Sequence, residues 1–102
     1  MIKVNIRKKD NIVYEIMIKG HAEYDTFGKD IVCAAVSSIA ITTINGINSI
    51  DDSIDYEENQ GLLKIKVKEV TDINQKLLNN MIEEFSELVS QYPKNIEIRN
   101  ED

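Results

Sequence analysis

The chain has 102 residues, 42% hydrophobic and 29% charged, with a formal net charge of −6. That length holds one domain over residues 1–102 with a modest core, not two. A single cysteine excludes an internal disulfide, and with it a secreted disulfide scaffold. The acidic balance weighs against binding a phosphate backbone, so no direct nucleic-acid partner is expected. It suits a basic partner equally well, or simply solubility.

Ile2, Val4 and Ile6 alternate with Lys3, Asn5 and Arg7, the pattern of a half-buried strand. The same alternation lacks the continuous apolar run of a signal peptide. Lys9-Asp10-Asn11 reads as a turn. Ile12, Tyr14, Ile16 and Ile18 then alternate with Val13, Glu15, Met17 and Lys19, giving the second arm of a hairpin. Gly20 and Gly28 bracket a loop and give it hinges. Asp30 reads as the N-cap of a helix running to Asn45 or Gly46. Its β-branched residues favour strand, but its length and Ala34, Ala35 and Ala40 favour helix.

Residues 31–50 carry no charge, which raises the question of a membrane span. Seven polar residues from Ser37 to Ser49 and acids at both ends (Asp30; Asp51 and Asp52) argue against it. The expectation is a buried helix, apolar nearly all round, in the middle of the fold or at an interface.

Ile54 to Glu58 reads as a short strand, turned by Asn59-Gln60-Gly61. Leu63, Ile65 and Val67, interleaved with Lys64, Lys66 and Lys68, form the clearest strand. Thr71 or Asp72 caps a second helix. Ile73, Leu77, Met81, Phe85, Leu88 and Tyr92 make its core stripe, and Pro93 stops it. Asn95 to Arg99 closes with a strand. The order is ββαββαβ: an α+β domain with two helices packed on a mostly antiparallel sheet. The pattern does not order the strands.

The chain's only cysteine and only histidine, Cys33 and His21, fall in one segment. Imidazole can take a thiol proton and hold the thiolate at neutral pH, which is the requirement of cysteine catalysis. With Asp30 as the cap, Cys33 is the third helical residue, among free backbone N–H groups that favour thiolate and can stabilise an oxyanion. A cysteine between Val32 and Ala34 also fits a small buried hydrophobe. A histidine at a strand end also fits a hydrogen-bonding surface residue. Asp30 caps the helix or orients His21. Ser37, one turn beyond Cys33, packs the helix or contacts the dyad. Tyr24 and Phe27 anchor the loop or line a pocket. One His and one Cys leave zinc short of ligands unless Glu23, Asp25 or Asp30 join, so no metal and no cofactor is expected.

Gly20-His21-Ala22, Gly28 and the run Asp30-Ile31-Val32-Cys33-Ala34-Ala35-Val36-Ser37 resemble the signature of the ribosomal-processing cysteine proteases, the Prp family. The resemblance implies a bacterial cytoplasmic endopeptidase and a homodimer. It implies a peptide substrate: the N-terminal extension of a large-subunit ribosomal protein, the twenty-seventh in the standard naming, cut after an aromatic residue. It implies that His21 and Cys33 form the active site, and that the loop between them moves about Gly28. A different class fits the same residues without catalysis: an accessory protein that binds a ribosomal protein or an assembly intermediate, with Cys33 as packing.

Overall fold

Alternation in the strands and a four-residue step in the helices bury one apolar set between a sheet and two helices. The computed structural model describes residues 1–20 and 27–101, with side chains described for 1–20 and 31–101. The elements are β1 (Ile2–Lys9), β2 (Ile12–Lys19), α1 (Phe27–Asn48), β3 (Ile54–Asn59), β4 (Leu62–Val67), α2 (Asp72–Gln91) and β5 (Ile96–Glu101). This is the expected ββαββαβ order. The sheet runs β3-β4-β2-β1-β5. Every neighbouring pair is antiparallel except β1 with β5.

Register aligns the apolar residues on one face. Val4 opposes Ile18 and Ile6 opposes Ile16, while Ile65 and Leu63 oppose the same two β2 residues from β4. All six are buried, together with Val36, Ile44 and Ile47 of α1 and Leu78, Met81 and Phe85 of α2. The opposite face carries charge. Asp55 opposes Lys66, Lys66 opposes Glu15, and Glu15 opposes Arg7. Such opposite-sign cross-strand pairs suit a face left to water.

The β1–β2 turn holds Asp10 and Asn11 at φ 52° and 65°. Two positive φ values mark the type I′ hairpin turn, and Asp and Asn tolerate them best after Gly. Beyond the turn the pairing slips. Arg7 opposes Glu15 but Lys8 opposes Val13, so Tyr14 is the extra residue of a bulge. The bulge corrects the expected face: Val13 is buried and Tyr14 is 44% exposed.

β4 pairs with β2 only over Glu15–Lys19, so the backbone of Val13 lies beyond its reach. The Gln75 side chain supplies the missing partner. Its Oε1 accepts from Val13 N–H at 2.8 Å and its Nε2 donates to the Val13 carbonyl at 2.9 Å. One amide thus stands in for a residue of a neighbouring strand, as buried backbone groups require.

α2 is capped by Thr71, as expected, with a full capping box. Thr71 Oγ1 accepts from Asn74 N–H, and Asn74 Oδ1 accepts from Thr71 N–H. This box corrects the core stripe in the first turn: Asn74 and Leu78 are buried, whereas Ile73 is 44% exposed. Asn74 is held there by polar partners, donating to Ser53 Oγ at 2.9 Å and to the Glu69 carbonyl at 2.8 Å. The helix ends at Gln91, where Tyr92 N–H bonds the Leu88 carbonyl just before Pro93.

After β4, Lys68 lies 3.1 Å from Asp52 and 3.5 Å from Asp55. The hydrogen bond that its ammonium donates to Asp52 raises Lys68 above its ordinary 10.5. All three groups are exposed, so the cluster adds little to stability. What it adds is present below pH 10.5 and is lost only as pH climbs beyond that.

Candidate active site

Cys33 sits on α1, and the start of that helix decides its electrostatics. α1 begins at Phe27, not after Asp30. Asp30 is therefore inside the first turn rather than at the cap, and Cys33 falls in the second turn. The N–H groups that a helix leaves without intrahelical partners end at Lys29. The amide of Cys33 is inside the ladder. The helix field, which fades within the first turn, is correspondingly weak at its sulfur. The expectation that helix amides around Cys33 both lower its pKa and form the oxyanion site is corrected on this ground. α1 also runs further than expected, to Asn48.

Val32, Val36, Ala40, Ile44 and Ile47 are the buried stripe of α1, each within 1% of full burial. Cys33 is one position off that stripe. It is half-buried and packs against the core. Ser37 follows one turn later on the same edge, also half-buried. Ile31 is 48% exposed and Ala34 is exposed, so the surface beside Cys33 is apolar and open. The structure thus brings Cys33 and Ser37 onto one edge of the helix, with the sulfur neither fully in the core nor fully in water.

α1 is long and apolar enough to cross a membrane: the window Ile31–Asn48 has a mean hydropathy of 1.6. One stripe of it is nevertheless core, packed with the sheet residues. Beside that stripe Cys33, Ile39 and Ile41 pack against the core half-buried, while Ile31, Ala34, Ser38, Thr42 and Asn45 face outward.

Gly20 ends β2 and carries a structural demand. Its φ is +85°, and a Cβ there would stand 2.8 Å from the Met1 carbonyl oxygen. Its N–H donates to the Gly61 carbonyl at 2.9 Å. Gly20 is thus demanded at the end of β2 by close approach and a left-handed backbone. Gly28 falls in the first turn of α1. His21, Glu23, Tyr24 and Asp25 lie outside the described residues, as do the side chains of Phe27 and Asp30. Among the described residues no group of three His, Cys, Asp or Glu is placed to hold a metal ion.

The model of the family described as cysteine protease Prp matches residues 1–97. The ribosomal processing cysteine protease Prp of Staphylococcus aureus is 31% identical, over 96% of this chain and 97% of that protein. Two solved structures of the S. aureus protease superpose. The one in complex with a substrate peptide has a TM-score of 0.90 at 26% identity, covering 99% of this chain and all of the other. The one with a covalently linked product peptide has 0.85 at 28%, with the same coverage. A Streptococcus mutans protein shares the fold at 0.85 and 23% identity, over 98% of this chain and 93% of its own. With a thiol on the edge of α1 in this fold, and a match that spans nearly the whole chain, the protein belongs to the Prp family of ribosomal processing cysteine proteases.

Proposed function

We propose that the chain is an endopeptidase in which Cys33 is the nucleophile and His21 the general base. Its substrate on this reading is the N-terminal extension of the twenty-seventh large-subunit ribosomal protein, cut after an aromatic residue in the cytoplasm by a homodimer. The observation that carries the reading is the position of Cys33: at the edge of the α1 core stripe, beside the open apolar surface of Ile31 and Ala34. A thiol there is anchored by the core on one side and reachable on the other. The uncharged outer face of α1 also leaves room for a contact between subunits.

The steps follow from the groups. The His21 imidazole takes the Cys33 proton, and the thiolate attacks the carbonyl carbon of the scissile peptide. The tetrahedral oxyanion needs N–H donors aimed at it. Because the Cys33 amide is committed to the helix ladder, the segment 21–30 supplies them on this reading. The C–N bond breaks as imidazolium gives its proton to the leaving amine. A water then loses its proton to His21 and attacks the thioester. The carboxylic product leaves and the thiol is restored. Asp30 and Ser37 orient the dyad or support its helix.

Alkylation separates this reading from the accessory-protein reading, in which Cys33 only packs. In the folded wild type, iodoacetamide is expected to modify Cys33 well below the ~8.5 of a free thiol. His21→Ala is expected to move that rate profile up to the free-thiol range. A Cys33 that reacts only on unfolding, with no dependence on His21, would move the assignment to packing.

A further inference from the structure

The net charge of −6 hides an uneven distribution. Arg7, Lys8 and Lys9 at the end of β1 and Lys66 of β4 line one groove of about 480 Å³, together with Tyr14, Glu15 and Val67. Four cations thus share the groove with a single carboxylate. Arg7 and Glu15 approach to 3.9 Å. Asp55, the cross-strand neighbour of Lys66, is engaged by Lys68 instead. Among the described residues no ion pair involves Lys8, Lys9 or Lys66. Three more acids border the groove without lining it: Asp10 in the turn after Lys9, Glu101 opposite Arg7 on β5 and Asp55 opposite Lys66 on β3. Within the groove itself a ligand meets four cations and one carboxylate.

The bulge adds an aromatic to it. Tyr14 is the unpaired residue of β2 and stands 44% exposed in the wall of the groove. A cationic groove with an exposed ring is the arrangement that holds single strands, with phosphates on the cations and a base stacked on the aromatic.

We propose that this groove binds single-stranded RNA, with Arg7, Lys8, Lys9 and Lys66 on its phosphates and Tyr14 stacked on a base. An acidic peptide would use the cations but has no base for the ring. The proposal does not depend on the protease reading, and it revises the expectation, drawn from net charge, of no nucleic-acid contact.

The test is fluorescence anisotropy of a labelled mixed-sequence RNA of about 15 nucleotides, within the site sizes known for such grooves, titrated with the full chain. Four neutralised phosphates on a single strand predict a slope of about −3 in log affinity against log salt, so binding weakens roughly fiftyfold between about 50 and 200 mM. The double variant Lys8→Glu with Lys9→Glu, and separately Lys66→Glu on the other wall, are expected to abolish binding. Tyr14→Ala is expected to weaken it at least about fivefold with the salt slope unchanged. All variants should keep the thermal midpoint and the peptide cleavage of wild type. No binding at low salt would overturn the proposal, as would charge-reversed variants that bind like wild type. Polyglutamate that competes as well as RNA, with Tyr14→Ala neutral, would also overturn it and assign the groove to acidic peptides.

Discussion

His21→Ala is expected to lower peptide cleavage at neutral pH by at least about a thousandfold, while the protein stays folded. General base catalysis alone is worth roughly 10²–10⁴, and removing one member of a catalytic unit can cost about as much as removing the whole unit. The start of α1 sharpens the expectation. Were Cys33 in the first turn, the helix field and its free N–H groups would hold part of the thiolate without any imidazole. The helix begins at Phe27, so that help is largely gone, and the burden falls on His21. The pH profile distinguishes this from simple damage. Above the free-thiol range, the variant should recover wild-type alkylation of Cys33, because base then makes the thiolate. It should not recover cleavage, because the leaving amine still lacks its proton donor. Cleavage by His21→Ala within about tenfold of wild type would remove His21 from the mechanism.

Asn74→Ala is expected to cost about 2–4 kcal/mol, the largest loss from any single polar residue among the described residues. Asn74 is fully buried and serves four partners. It donates to Ser53 Oγ and the Glu69 carbonyl, and accepts from Thr71 N–H and from Gln75 Nε2. Alanine leaves those groups without it, and a buried unsatisfied group costs about 1–3 kcal/mol. The damage spreads. Gln75, which closes the Val13 backbone, loses a neighbour that fixes its amide. For a chain of this size the thermal midpoint should fall by roughly 10–20 °C. Ser53→Ala removes one partner only and should cost about 1 kcal/mol. The pair should be non-additive in a double-mutant cycle, since both sit in one network. A loss below about 1 kcal/mol for Asn74→Ala would mean that water replaces the side chain with little penalty.

The sequence made the element order legible because each element is locally consistent. β4 alternates Leu, Ile and Val with Lys, and Thr71 stands where a capping box needs it. Three features were harder to read. The bulge at Tyr14 left no trace in the pattern, since Ile12, Tyr14, Ile16 and Ile18 alternate without interruption. Only the cross-strand register, set by a type I′ turn, moves Val13 inward. The burial of Asn74 ahead of Ile73 reflects partners from Ser53 and Glu69, which no helical period encodes. The start of α1 was misplaced because Asp30 borders the uncharged run and is a favoured cap. Strand order, with β5 parallel to β1 at the far edge, follows from how α2 crosses the sheet and is not written in any one segment. The motif around Cys33 pointed to the family, but the close approach at Gly20 was not readable. It depends on the Met1 carbonyl and Gly61, which reach Gly20 from outside its own segment.

The measurement that tests the central claim most directly is cleavage followed by mass spectrometry. The purified full chain is mixed with the extended form of the ribosomal protein, beside Cys33→Ala. The account predicts one defined cut after an aromatic residue by the wild type and none by Cys33→Ala. A cut that survives Cys33→Ala, or binding of the extended protein with no cut by the wild type, would contradict it.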